Sequence, residues 1–75
     1  MREKTIQAIV AHAAEVYPAE CCGVVAQNSR VERYFPCRNI AENPTEQFHL
    51  SPEDYIAAER WGTVTGIVHS HPDAT

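Results

Sequence analysis

Basic residues are scarce in this chain. Six lysines and arginines stand against ten aspartates and glutamates, giving a net charge of −4. A nucleic-acid partner normally meets a basic face that neutralises phosphates, so this balance argues against one. Long apolar runs are missing as well. The longest, near Cys21–Ala26, falls far short of the ~20 residues that cross a bilayer. The charged start, Met1-Arg2-Glu3-Lys4, leads into an amphipathic segment rather than a uniformly apolar one, so it does not read as a secretory signal. A soluble, cytoplasmic protein is the expectation. Cysteine is limited to Cys21, Cys22 and Cys37, without a C-x-x-C spacing. An odd count with two adjacent members makes no disulfide framework. Buried, reduced thiols acting as small apolar residues are expected. Redox or metal chemistry, or a bridge to Cys37, are the alternatives. Repeats, linkers and low-complexity tracts are absent, and 75 residues make one domain at most.

The hydrophobic share of 44% suits a globular chain, though one this short has a marginal core. Ile6, Ile9, Val10, Ala13, Ala14 and Tyr17 recur at helical spacing and predict an amphipathic helix with one core-facing stripe. Pro18 ends it near Tyr17. His12 falls on the opposite face and is expected in solvent. Glu20 to Ala26, rich in small and β-branched residues, predicts a central strand covered on both faces. Gln27-Asn28-Ser29 is a turn, and Arg30 to Cys37 predicts a second strand in a hairpin. Asn39 to Pro44 is a loop, and Phe48 and Leu50 predict one face of a short third strand. Ser51-Pro52-Glu53-Asp54 is a helix start, with Ser51 as cap and Pro52 in the first turn. That helix runs to Trp61 and closes at Gly62. Thr63 to His69 is the last strand. Helices and strands in this order predict an α/β or α+β fold, a small mixed sheet flanked by helices.

The residue pattern that points to chemistry is His69-Ser70-His71-Pro72, following the apolar run Val64–Val68. Side chains alternate along a strand, so His69 and His71 project to one side with Cβ atoms roughly 6.5–7 Å apart. Two imidazoles so placed can converge on one zinc ion. Pro72 then ends the ladder. Glu20 stands at the edge of an otherwise apolar strand, where a charge is costly unless used or paired. Two histidines and a carboxylate are the ingredients of metal-assisted hydrolysis. His-x-His also occurs in cupins, amidohydrolases and carbonic-anhydrase-like sites, whose folds need more strands or a larger barrel. The zinc deaminase signature, H-x-E with P-C-x-x-C, is absent.

Pro18-Ala19-Glu20-Cys21-Cys22-Gly23-Val24-Val25 together with Ile67-Val68-His69-Ser70-His71-Pro72 resembles the JAMM/MPN (Mov34/PAD-1) metallopeptidase family. The likeness runs from the first helix to H-x-H-P. More narrowly, the chain is similar to the members of that family found in phage tail assembly. The resemblance implies an incomplete JAMM/MPN, cytidine-deaminase-like fold, with residues 1–75 as the N-terminal part of the domain. It makes His69 and His71 ligands of Zn2+, and Glu20 the general acid/base that activates water without being a ligand. The family pattern continues with S-x-x-D, bringing a third ligand and an oxyanion-stabilising serine. That segment would fall beyond Thr75, so the 75 residues alone are expected to be inactive and weakly stable. Asp73 is expected to be a solvated turn residue, with a substitute ligand as the alternative. Ser70 is expected to be structural, and His49 to sit at a pocket rim. The implied partners are a peptide or peptidoglycan-type substrate and phage tail proteins. The implied locations are the host cytoplasm and, for the parent protein, the virion tail. The alternative is a non-catalytic prophage remnant, or a tail-assembly or binding module keeping only the scaffold.

Overall fold

The computed structural model describes residues 1–72. In chain order the elements are α1 (Glu3–Val16), β1 (Cys22–Gln27), β2 (Glu32–Cys37), α2 (Pro52–Trp61) and β3 (Thr63–His69). The sheet order is β2-β1-β3. The strand richest in β-branched and small residues lies in the middle, and Cys21 to Ala26 are all buried. The α/β class with a small helix-flanked sheet matches the sequence expectation. Both neighbours of β1 are antiparallel to it. β2 and β3 do run in the same direction, but β1 separates them, so the expected mixed sheet pairs antiparallel throughout among the described residues. No described helix is long and apolar enough to cross a membrane.

α2 packs across the sheet over a core of Cys22, Val24, Cys37 and Ala58, joined by partly buried Phe35, Phe48 and Leu50. Its start is as the sequence predicts. The Ser51 hydroxyl accepts from the Asp54 N–H at 3.5 Å, with Pro52 opening the helix. Ser51 Oγ also accepts from the Arg38 guanidinium, while Asp54 accepts the Arg38 N–H at 2.9 Å. That backbone hydrogen bond is the main reason the Asp54 carboxyl titrates below its ordinary range. The helix closes at Gly62 in extended conformation, not left-handed. Glycine is needed there for a different reason: a Cβ would collide with the Gln27 carbonyl.

α1 ends before Pro18 as expected, yet its buried side is not the predicted stripe. Ile6, Val10 and Tyr17 are 47%, 62% and 66% exposed. Thr5 is buried, and Ile9, His12, Ala13 and Val16 are partly covered. Polar contacts set this rotation. His12 Nδ1 lies 2.7 Å from the Tyr34 hydroxyl on β2, and the Arg2 N–H donates to Glu32 at 2.7 Å. His12 is therefore no solvated surface residue. Burial lowers its pKa, with nearby Glu15 opposing.

Tyr34 also explains Gly23. The two are diagonal neighbours across β1 and β2, and the buried phenol covers the glycine. A Cβ at position 23 would overlap the phenol ring and its hydroxyl. His12 holds that hydroxyl, so the ring has no free path away. Gly23→Ala is expected to cost about 1–3 kcal/mol, roughly 4–24 °C in Tm. Thermal unfolding followed by circular dichroism checks it, and an unchanged midpoint would mean the ring moves aside freely.

The third strand expected at Phe48–Leu50 does not form. Asn39 and Leu50 make one isolated bridge. The ladder stops because the Asn39 side chain takes the neighbouring backbone groups, the Gln47 carbonyl and the His49 N–H. Phe48 and Leu50 nevertheless pack against the core.

Candidate metal centre

The register of β1 against β3 decides which side chains meet. Cys22 pairs with His69. One step further out, Ser70 N–H donates to the Cys21 carbonyl at 3.1 Å, and the Cys21 N–H donates to Ser70 Oγ at 2.8 Å. Ser70 thus clamps the strand ends together, the structural role expected of it. This continuation puts Glu20 opposite His71. Alternation then gives Glu20, His69 and His71 a common face.

Glu20 Oε1 lies 4.0 Å from Nδ1 of His69 and 4.0 Å from Nδ1 of His71. One ligand atom from each of the three residues falls within 4.8 Å of the others, and this is the one such group among the described residues. The imidazoles stand edge to face, their centroids 4.5 Å apart. Glu20 is 4% exposed. The histidine side chains are 33% and 63% exposed, so the group opens to solvent on their side.

Glu20 Oε1 is buried and has no hydrogen-bond partner. Leaving a buried carboxylate oxygen unsatisfied costs more than the ~1–3 kcal/mol of a neutral group. A separation of 4.0 Å is too long for a hydrogen bond and leaves room for a bridging atom. A cation held by the two imidazoles would face this oxygen, so the residues present fit a zinc ion with Glu20 beside it.

Two residues outside the expected set shape the site. The Phe48 ring stacks on His69, centroids 4.3 Å apart and planes 15° from parallel. Asn39 ties the segment around them. Its Nδ2 donates to the carbonyls of Glu20 at 3.0 Å, Pro44 at 3.3 Å and Gln47 at 2.9 Å. Its Oδ1 accepts from the N–H groups of Ala41 at 3.1 Å and His49 at 3.0 Å. The Glu20 N–H donates to the Pro44 carbonyl at 2.6 Å. The signal in the sequence is an asparagine two residues after a strand, a residue suited to satisfying loop backbone groups.

The other candidates lie elsewhere. His49 is exposed, lines a hollow of about 780 Å³ together with Phe48, and is not in the cluster. Asp73 lies outside the described residues. All three cysteines are free and buried. Burial, the largest cause in each case, raises the Cys22 and Cys37 thiols to about 11. Both are neutral at pH 7 and poor metal ligands.

A small sheet flanked by helices that gathers two strand-end histidines beside a buried carboxylate is the class of arrangement that a hydrolytic metal centre uses. The chain belongs to the family of prokaryotic homologs of the JAB domain, whose profile matches residues 2–75. It is 79% identical over 75 residues to "Tail tip assembly protein K" of Escherichia phage N15, covering 100% of this chain and 31% of that protein. It is also 37% identical over 65 residues to "Desampylase" of Haloferax volcanii, covering 76% of this chain and 47% of the relative. The chain therefore spans from about a third to about half of the curated relatives it matches. No solved structure matches it.

Proposed function

We propose that residues 1–75 are the N-terminal part of a zinc-dependent metallopeptidase domain that hydrolyses an amide or isopeptide bond within a phage tail assembly protein. One observation carries the reading: the buried, unpartnered Glu20 oxygen 4.0 Å from two strand-end histidines. His69 and His71 would hold the zinc. The third ligand would come from an S-x-x-D segment after His71, which the 75 residues do not contain. A bound zinc ion supplies Lewis acidity, polarising a carbonyl and making water acidic near pH 7.

The remaining work falls to this chain's residues. Glu20 sits in a desolvated position with a free lone pair, so it can take a proton from the attacking water and deliver it to the leaving amine. Phe48 fixes the plane of His69 and walls one side of the site. The histidines' exposed side is where an extended peptide can enter. Likeness to a protein named for tail tip assembly supports tail proteins as partners, and the substrate on this reading is a peptide or peptidoglycan-type amide. On the same reading the chain works in the host cytoplasm and, as part of its parent protein, in the virion tail.

The test compares residues 1–75 with the same sequence extended through S-x-x-D, both loaded with zinc, on a panel of peptides and isopeptides. The extended form is expected to cleave, and a chelator to stop it, while the 75-residue form does not. An extended form that holds zinc and cleaves nothing would make this a non-catalytic assembly module.

A further inference from the structure

Asn39 joins more of the site than any residue expected to do so. Its five backbone hydrogen bonds employ both amide hydrogens, one of them shared, and both lone pairs of its oxygen. The partners are not scattered. One is the carbonyl of Glu20 itself. Two others, the Gln47 carbonyl and the His49 N–H, flank Phe48, whose ring lies on His69. At the base of this loop, Ile40 N–H donates to the His49 carbonyl and Ser51 N–H to the Arg38 carbonyl. Those bonds close the loop but do not reach Glu20 or the residue before Phe48. The Glu20 N–H ties Glu20 to Pro44, and the Asn39 amide joins Glu20 directly to Gln47.

We propose that Asn39 is a positioning residue of the metal centre, locking the Glu20 backbone and the Phe48–His69 stack into one arrangement. The inference rests on the metallopeptidase reading for the roles of Glu20 and His69, and it adds how their relative placement is held. Its physical basis is valence. The Glu20 and Gln47 carbonyls accept from a neutral amide, which a carboxylate cannot replace. In Asn39→Asp the oxygen that replaces the amide nitrogen would face the carbonyls of Glu20, Pro44 and Gln47 with like partial charge. The segment must then move, taking Phe48 with it.

The test uses the chain without and with zinc. In the metal-free protein, the stacked Phe48 shields the His69 ring protons, which two-dimensional NMR reads as upfield shifts. Asn39→Asp is expected to return those signals toward free-histidine positions while the β1–β3 amide signals persist. Its zinc affinity, measured by calorimetry, is expected to fall roughly 10–100-fold. Phe48→Leu provides a second route. It should lose the same shifts and weaken zinc binding, while the amide protons of Ala41 and His49 stay protected from exchange. Asn28→Ala, which removes turn hydrogen bonds to Arg30 and Val31 far from the site, should leave the His69 signals and zinc affinity unchanged. Native-like His69 shifts in Asn39→Asp, native zinc affinity in Phe48→Leu, or an equal loss in Asn28→Ala would each overturn the proposal. A chain extended through S-x-x-D that binds no zinc would refute the metallopeptidase reading, and the His69 shifts of the metal-free variants would still decide this one.

Discussion

In the form extended through S-x-x-D, Glu20→Gln is expected to keep its zinc and lose about 10²–10⁴-fold in kcat. Glutamine has nearly the shape of glutamate, so packing at this 4% exposed position is preserved. What disappears is the ability to accept a proton. Its oxygen lies within reach of an ion shared with the two histidines, but on the proposed reading it serves as proton acceptor and not as ligand, so the metal should stay. A second consequence follows from burial. The native carboxylate has one buried oxygen without a donor, and removing an uncompensated buried charge is often neutral or stabilising. Metal-free Glu20→Gln at pH 8, where free histidine is neutral, should therefore melt no lower than the native protein. Turnover, zinc content and thermal midpoint on the same samples check all three expectations. Loss of zinc along with activity would make Glu20 a ligand.

Replacing both His69 and His71 with alanine is expected to abolish zinc uptake. Imidazole nitrogen suits zinc, whereas magnesium and calcium prefer oxygen, so the native chain should bind zinc in preference to either. The other donors in the molecule are poor substitutes. Cys22 and Cys37 are held as neutral thiols by burial, and their sulfurs lie against backbone carbonyls. His12 is on the other layer, with Nδ1 engaged by Tyr34. With only two protein ligands the 75-residue chain should bind zinc weakly, and isothermal calorimetry can resolve that. Unchanged heats in the double variant would move the site to the cysteines or His12.

The parts of the fold that were legible in the sequence are those fixed by local chemistry. Ser51-Pro52 with Asp54 started α2, Pro18 stopped α1, and the run after Glu20 became the central strand. The meeting of Glu20 with His69 and His71 was also readable, because two apolar strands ending in chemistry-bearing residues are natural neighbours in a small sheet. The register itself was not readable. It depends on Ser70 clamping Cys21, a long-range contact. The rotation of α1 departs from the predicted stripe because apolar periodicity ignores polar partners, and here Thr5 and His12 face inward while Ile6 and Val10 do not. The Phe48–Leu50 strand failed for a related reason. Alternation describes which side chains turn inward, but the backbone pairing there stops at one bridge, and the Asn39 side chain takes the Gln47 carbonyl and the His49 N–H. Its five bonds run to groups between 2 and 19 residues away, which no local pattern encodes.

The most direct measurement is a crystal structure of the zinc-soaked protein with anomalous scattering recorded on both sides of the zinc edge. A single zinc peak bonded to His69 and His71 at about 2.0–2.1 Å, with the Glu20 carboxylate beside it but beyond bonding distance, is the predicted result. A zinc peak at the cysteines or at His12, or one ligated directly by Glu20, would contradict the account.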